Sequence, residues 1–175
     1  MTTKNFASPL KFAEHLMKAA TVEIIAINEG LHLAAQMIQA EAKKEIGHLQ
    51  KEQGPFPAWE ELAESTKLDK ERLGYVFNDD YNPLLRTGKL RDRIEYEVNI
   101  SRLEAIVGSK DPIAAFQEFG TNTIPPRAFI GRAAYIYAPL IAKIFGQATI
   151  QGIAGGNVIA RDIGYALGYH QDIEL

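Results

Sequence analysis

The stretch that decides the fold runs from Asn82 to Gly131. It begins NPLLRTGKLRDRIEYEV (residues 82–98) and ends VGSKDPIAAFQEFGTNTIPPRAFIG (residues 107–131). Apolar side chains alternate with polar ones on both sides of Ser101-Arg102, with the period of two that is typical of half-buried strands. The apolar positions are Ile94, Tyr96, Val98 and Ile100 before this turn, and Leu103, Ala105 and Val107 after it. The pattern predicts a small antiparallel sheet.

The segments that flank this strand pair carry turn signals. Thr87-Gly88 is predicted to turn the chain into a segment that is extended from Lys89 onward, because glycine permits the positive φ angles that such turns need. Residues 113–119 are interpreted either as a short apolar helix or as an extended segment. Pro125-Pro126 excludes the interior of a helix at that point.

Residues 8–47 have the periodicity of a helix. Ser8-Pro9 is a start signal, because serine caps helices and proline is tolerated in the first turn, and Gly47 is a stop signal. Apolar residues recur at steps of three or four, at Phe12, Leu16, Ala20, Ile24, Ile27, Leu31, Ala34, Ile38, Ala42 and Ile46. The pattern fits one long helix or two consecutive helices.

Residues 50–81 are patterned more weakly. Residues 59–67 are interpreted as a short helix, and the whole region is expected to form an extended arm, because long, weakly patterned loops tend to be functional or mobile. With the long N-terminal helix, the small antiparallel β-sheet and a C-terminal helix, this predicts a single α+β domain over residues 1–175.

The C-terminal part begins with a helix predicted over residues 128–145, with a bend at Pro139. An extended tail is expected from about residue 146 to residue 175. Within it, residues 149–151 and 158–160 are interpreted either as a hairpin or as a loop that leads into a helix.

Composition excludes several classes of site. The chain has 175 residues, a net charge of −3 and no cysteine, so disulfides, thiolate nucleophiles and zinc–thiolate sites are excluded. The absence of a basic excess argues against a sequence-specific or general nucleic-acid-binding surface. No secretory signal and no run of about 20 mostly apolar residues is present, so neither secretion nor a membrane-spanning helix is expected.

Three sequence patterns suggest a metal site, a phosphate loop or an acid–base pair, and each also has a simpler interpretation. Glu29 with His32, and Glu45 with His48, have the spacing of metal ligands on a helix face, but the pairs lie about 24 Å apart on a single straight helix. Metal binding therefore stays a minor alternative to polar surface residues. Residues 154–157 (AGGN) lack the lysine and the hydroxyl of a phosphate loop.

Two glutamates of the first predicted strand share one face. Glu95 and Glu97, with Glu118 expected nearby, resemble paired carboxylates that do acid–base work. Because they alternate with apolar residues, the face that they occupy is interpreted as the solvated face of the sheet. The sequence therefore predicts no catalytic residues, no metal site and no cofactor.

The central phrases resemble the Mu-type phage virion morphogenesis family, which is related to tail-completion and neck proteins of tailed bacteriophages. The resemblance covers roughly residues 55–135. It is carried by Trp59, Leu62, Ser65-Thr66 and Lys70, by PLLRTG (83–88) with Leu90-Arg91, and by Phe116, FGT (119–121), IPPR (124–127) and FIG (129–131). The glycine-rich last thirty residues match no phrase of the family.

The resemblance implies a structural virion protein without catalytic activity. Such a protein completes the tail or joins tail to head at the neck, as a ring that is expected to be a hexamer. The implied partners are copies of the same chain, the tail tube or tail terminator protein, and the connector or adaptor proteins of the head. The implied location is the virion, with the host cytoplasm during assembly. A transient assembly factor that is not retained in the virion is the alternative.

The residues expected to serve an interface are those of the motif itself. Leu84, Leu85 and Leu90 are expected to hold the turn against the core, and Phe116, Phe119 and Phe129 to pack on the sheet. Gly120-Thr121 and Pro125-Pro126 are expected to stiffen a surface loop that contacts a partner. The full set is Leu84, Leu85, Arg86, Thr87, Gly88, Leu90, Arg91, Phe119, Gly120, Thr121, Pro125, Pro126, Arg127 and Phe129.

Overall fold

A computed structural model describes residues 6–154 and has an α+β fold, as the sequence predicts. Its elements are α1 (Pro9–Glu45), α2 (Glu64–Leu73), α3 (Lys89–Asp92), β1 (Glu95–Asn99), β2 (Glu104–Gly108), α4 (Pro112–Phe119) and α5 (Ile130–Ala154). The described residues divide into two compact units, one of residues 6–31 with 139–154 and one of His32–Ala138. None of the helices within residues 6–154 is long and apolar enough to cross a membrane. A single domain over residues 1–175 stays a prediction.

The N-terminal pattern forms one unbroken helix rather than two. The Ser8 hydroxyl accepts a hydrogen bond of 3.3 Å from the Lys11 N–H, which satisfies one of the free donors at the start of a helix. The helix ends at Glu45, close to the predicted stop at Gly47. The first half of the apolar stripe is exposed, including Phe12 and Leu16, whereas Ala42 and Ile46 are buried.

The predicted strand pair is confirmed. β1 and β2 are antiparallel, and Glu97 lies opposite Ile106. Tyr96, Val98, Ala105 and Val107 are half-buried, while Glu95, Glu97, Asn99, Glu104 and Ile106 are exposed. The sheet therefore has one packed and one solvated face, as the period of two requires.

The prediction that the chain is extended from Lys89 onward is wrong. Gly88 does adopt a positive φ of 82°, but the chain then makes one helical turn, α3, in which the Asp92 N–H donates to the Gly88 carbonyl. β1 starts only after Ile94, whose side chain is completely buried. The burial of Ile94 fixes the start of β1. The alternation of apolar and polar residues did not reveal this boundary.

Residues 50–81 pack into the unit His32–Ala138 and do not project as an arm. The Trp59 ring is buried, and its Nε1 donates a hydrogen bond of 3.3 Å to the Ala128 carbonyl. The predicted helix over 59–67 instead starts at Glu64. The Trp59 N–H donates to the Gln50 carbonyl at 2.8 Å, which keeps the chain around Trp59 out of a helix.

The core of the unit His32–Ala138 contains residues from every part of the motif. Its buried members are Ala42, Ile46, Trp59, Ile94, Ala114, Phe129 and Ala133, with Leu84, Leu85 and Leu90 packed against them. The expectation that Leu84, Leu85 and Leu90 pack against the core is therefore confirmed, and Phe129 is a buried member of that core. The expectation for Phe116 and Phe119 is wrong, since these side chains are 51% and 80% exposed. The reason is that α4 turns Ala114 to the core, and both phenylalanines lie on its other side.

The C-terminal helix α5 continues to Ala154, with Pro139 inside it. Residues 146–154 are therefore helical and not an extended tail, and the hairpin interpretation of residues 149–151 is wrong. Ile144 and Ala148 are both completely buried. Because they are four residues apart, they lie on the same face of a helix that continues through Gly146. Residues 158–160 and the rest of the expected tail lie outside the described residues.

Candidate functional site

A groove of about 850 Å³ lies within the unit His32–Ala138. Four segments that are distant in sequence line it: residues 60–70 around the start of α2, residues 84–93, residues 111–117 at the start of α4, and residues 123–127. Its volume lies within the range of ligand and peptide sites. The groove is the feature that brings the phrases of the motif together.

Eight of the fourteen predicted interface residues line this groove: Leu84, Leu85, Arg86, Thr87, Gly88, Leu90, Pro125 and Arg127. The other six do not line it: Arg91, Phe119, Gly120, Thr121, Pro126 and Phe129. Of these, Phe129 is in the core and Phe119 is on the surface. The prediction thus located residues on two walls of the groove, and none of its fourteen residues lies in the wall formed by residues 60–70.

Lys70 holds the wall that contains PLLRTG. Its ammonium donates to the carbonyl oxygens of Tyr81 at 2.8 Å, Asn82 at 2.5 Å and Leu85 at 2.8 Å. Burial lowers the pKa of Lys70 to about 8. The side chain therefore acts as an internal clamp and does not offer its charge to solvent.

The clamped loop is strained. Tyr81, Asn82 and Leu84 have φ angles of 57°, 50° and 62°, which non-glycine residues rarely adopt and which cost of order 1–3 kcal/mol each. Such strain persists only where surrounding contacts fix the backbone. The three bonds from Lys70 and a bond of 2.6 Å from the Phe77 N–H to Asn82 Oδ1 provide those contacts.

Arg127 holds the opposite wall. Its Nη2 donates to the carbonyl oxygens of Glu60 at 3.0 Å and Glu61 at 3.3 Å, and its backbone N–H donates to the Gln117 carbonyl at 2.7 Å. The side chain is buried. The arginine of the IPPR phrase therefore ties residues 60–61 to α4 and shapes the groove, rather than reaching out to a partner.

Glu118 is engaged at the start of α5. Its carboxylate accepts hydrogen bonds from the N–H groups of Phe129 at 2.9 Å, Ile130 at 3.0 Å and Gly131 at 2.7 Å. A carboxylate at this position satisfies free donors and interacts favourably with the helix dipole. This engagement replaces the suggested acid–base grouping of Glu118 with Glu95 and Glu97. Nothing in the spacing of residues 118 and 129–131 signals it in advance.

The loop from Gly120 to Pro126 is stiff, as expected. Gly120 has a φ of 73°, and a Cβ there would lie 2.8 Å from the Ile124 carbonyl oxygen, so only glycine fits. The Thr121 N–H donates to that same oxygen at 2.8 Å. The Thr121 hydroxyl accepts bonds from the N–H groups of Thr123 and Ile124. Contact of this loop with a partner stays a prediction.

The rim of the groove carries cations that are partly paired. Arg86 binds Asp69 at 2.7 Å and Arg93 binds Asp111 at 2.7 Å. A hydrogen bond from Arg72, aided by Arg86, lowers the pKa of Asp69, while the Ile113 N–H and Arg93 lower that of Asp111. Lys89 is also exposed at this rim. The rim therefore presents fixed guanidinium groups and one lysine.

Glu45 is buried in an ion pair and not arranged as a metal ligand. Its carboxylate binds Arg132, which also bonds Gln50 Oε1 at 3.2 Å. Burial raises the pKa of Glu45 to about 7, against the opposing effect of Arg132. Within residues 6–154, no three acidic or histidine side chains are grouped so as to hold a metal ion. The sequence pattern did not reveal the partner 87 residues away.

Comparison of the chain with protein-family models, with curated proteins and with solved structures finds no match.

Proposed function

We propose that this chain is a structural virion protein of a tailed bacteriophage or prophage. In this proposal it completes the tail or joins tail to head at the neck, as a ring of identical copies and without catalysis. Its partners are neighbouring copies, the tail tube or tail terminator protein, and the connector or adaptor proteins of the head.

The observation that carries the proposal is the convergence of the motif on one groove. PLLRTG and IPPR, which carry much of the resemblance to the phage family, are separated by 35 residues in sequence and lie on two walls of the same groove. Long-range bonds from Lys70 and Arg127 fix these walls. A groove with fixed walls, lined by apolar side chains and by charged groups of both signs, suits a protein contact, because preformed sites lose little conformational entropy on binding.

Exposed apolar side chains give a second line of support. Phe116 and Phe119 protrude from α4, and Ile106 on the solvated face of the sheet is 57% exposed. In α1, Leu10 and Met17 are 69% and 73% exposed. Apolar surface of this extent favours association with other proteins, and a ring subunit needs two different contact surfaces, one for each neighbour.

The test is quantitative mass spectrometry of purified particles from a phage or prophage that encodes this chain. The expected result is a low copy number of about six to twelve chains per particle, which corresponds to one or two rings. Complete absence from purified particles, with abundance in the infected cell, would contradict the virion protein and favour the transient assembly factor. An extract from infected cells, digested in parallel, controls for peptide detection.

A further inference from the structure

The outer edge of β2 presents unpaired backbone groups. The described sheet has two strands, β1 and β2, so each strand is paired on one side and free on the other. Among the described residues, the N–H and C=O groups of Glu104–Gly108 form no backbone hydrogen bonds other than those with β1. A free strand edge is a template for a further strand, because its groups have the spacing of another extended backbone.

β2 lacks the features that commonly protect a free edge, which are prolines, bulges and several charged side chains. It contains no proline and one charged residue, Glu104, and its register with β1 runs without a bulge from Glu104 to Gly108. Val107 packs against the core, whereas Ile106, on the opposite face, is 57% exposed. β2 is therefore an open edge with an exposed apolar side chain at its centre.

The edge of β1 differs in its charges. Glu95 and Glu97 lie on its exposed face. If two copies paired antiparallel through β1, the register that pairs all five residues would place Glu97 of one copy opposite Glu97 of the other. Like charges directly opposite one another on a strand pair are destabilising. Association of two copies through β1 is therefore disfavoured.

Pairing of β2 with β2 of a second copy avoids this repulsion. In the antiparallel register that pairs all five residues, Ile106 lies opposite Ile106 of the second copy. Ala105 then lies opposite Val107, and Glu104 lies opposite Gly108. The one charged residue of the strand therefore faces a glycine, and the exposed isoleucine faces an apolar side chain.

The exposed Ile106 favours this arrangement over a pairing of β2 with β1 of another copy. In its own chain Ile106 lies opposite Glu97, and a second β1 in the same register would place another glutamate on its other side. Pairing of β2 with itself buries the apolar surface of Ile106 instead. The cations nearest to β2 in sequence, Arg102 and Lys110, lie beyond its ends, in a turn and a bend, and so outside the paired residues.

We propose that β2 of one copy pairs antiparallel with β2 of a second copy, so that two hairpins form one four-stranded sheet around a two-fold axis. The contact is isologous, with the same surface on both sides. It extends a sheet that has two strands in one chain, and sheets of three or more strands are the more stable kind. The contact differs from the head-to-tail contacts of the proposed ring, so it does not depend on that ring.

The first test introduces a single thiol at the centre of the contact. The chain contains no cysteine, so Ile106→Cys gives each molecule one thiol, which the register places opposite the same thiol of the second copy. Directly opposed Cβ atoms lie about 4.5–5.5 Å apart, close to their separation in a disulfide. Mild oxidation of the full-length chain should therefore yield a covalent dimer as the main product. Glu97→Cys, at an exposed position of β1, is the matched control and should stay mainly monomeric.

Two results of this test would overturn the contact. One is an equal yield of dimer from Ile106→Cys and Glu97→Cys, which would indicate random collision. The other comes from an equimolar mixture of the two variants, in which a heterodimer as the main product would show that β2 pairs with β1 of another copy. Under the proposal, the mixture gives the Ile106→Cys homodimer and leaves the Glu97→Cys chain largely monomeric.

The second test measures the mass of the full-length assembly by native mass spectrometry at about 100 μM protein, above the Kd of stable interfaces. Ile106→Lys places two ammonium groups opposite one another and should weaken the contact at least about tenfold. Because a two-fold contact joins pairs, this loss should halve the mass of the wild-type species. Ile106→Val keeps a β-branched apolar side chain and should keep the wild-type mass. Both variants change an exposed position and should keep the far-ultraviolet circular dichroism of the wild type.

The masses separate this contact from the proposed ring. A change from about twelve copies to about six supports both, and a change from dimer to monomer supports the contact but contradicts the ring. A wild-type ring that Ile106→Lys leaves at its full mass overturns the contact and leaves the ring standing. A monomeric wild type overturns both.

Discussion

The groove and the β1–β2 hairpin are adjacent in the chain, but long-range hydrogen bonds hold the groove together, whereas local pairing holds the hairpin. The groove is assembled by long-range bonds, such as those from Lys70 to the carbonyls of residues 81–85 and from Arg127 to those of residues 60–61. The hairpin is held by local pairing between residues 95–99 and 104–108. One region is a groove whose walls are fixed by bonds between distant parts of the chain, and the other is a strand pair that exposes Glu95, Glu97 and Glu104 on one face.

The difference indicates how changes in each region should act. Substitutions in the groove walls remove buried contacts, so they should lower the free energy of unfolding. Side chains on the outer face of the hairpin contact solvent, so their substitution should leave the free energy of unfolding nearly unchanged. Four predictions follow this contrast from the largest effect on stability to the smallest.

Lys70→Met should have the largest effect. It removes the clamp on the strained loop and leaves one buried and two partly buried carbonyl oxygens without their donor, which should lower the free energy of unfolding by about 3 kcal/mol. Urea denaturation monitored by Trp59 fluorescence measures this, since the ring is buried in the same unit. Lys67→Met is the matched control and should change little, because it removes a partly exposed lysine of the same helix whose ammonium pairs with the exposed Glu61. Equal losses in both variants would contradict the clamp.

Glu118→Gln should have an intermediate effect. The amide accepts fewer bonds and carries no charge at the start of α5, so the expected loss is about 1–2 kcal/mol. The same urea titration measures it. Glu95→Gln on the exposed face of the hairpin makes the same chemical change at a site without such bonds and should be close to neutral. A neutral Glu118→Gln would show that the cap does not stabilise the fold.

The pH dependence should come from the buried region and not from the hairpin. The pKa of Glu45 is raised from 4.5 to about 7, so between these values the folded state binds a proton that the unfolded state lacks. The stabilisation is complete below about pH 4.5 and is lost as pH rises through 7, with a slope of at most about 1.4 kcal/mol per pH unit. Denaturation between pH 5 and pH 8 should show this slope in the wild type.

Two variants assign the slope to its source. Glu45→Gln should flatten the pH dependence in this range, because no titrating carboxyl remains beside Arg132. Glu97→Gln, at an exposed hairpin position, should keep the wild-type slope. If Glu45→Gln keeps the slope and Glu97→Gln removes it, the contrast between the two regions is wrong.

The smallest effect on stability is expected at Ile106. Ile106→Thr replaces an exposed apolar side chain with another β-branched residue on a strand, so the free energy of unfolding should change by less than about 0.5 kcal/mol. Thermal denaturation measures this. Ile94→Thr, at the completely buried position before β1, is the contrasting variant and should cost several times more. A large loss at Ile106 would mean that the solvated face is needed for folding.

Sequence periodicity predicts the local features of this molecule and misses the long-range ones. The α1 helix, the β1–β2 pair and the turn at Gly88 follow from spacing within a few residues. The burial of Lys70, the cap by Glu118 and the pair of Glu45 with Arg132 depend on partners 11 to 87 residues away, which no local pattern encodes. For the same reason residues 50–81, which pack through Trp59 and Lys70, resemble an arm in sequence.

Phe119 and Phe129 illustrate the limit for the candidate site. Phe119 belongs to FGT and Phe129 to FIG, two short phrases of the same motif, yet Phe119 is exposed and Phe129 is completely buried. An apolar side chain is expected to pack against another surface, but the sequence alone does not show whether that surface belongs to the same chain or to a partner. The exposed member of the pair therefore points to association and the buried one to stability.

Native mass spectrometry of the purified full-length chain tests the proposed association of copies most directly. A ring of identical copies predicts one main species at a multiple of the chain mass of 19.4 kDa, with about six copies for a closed cyclic assembly. A chain that stays monomeric at about 100 μM would contradict the proposed ring, since stable interfaces have Kd values well below that concentration.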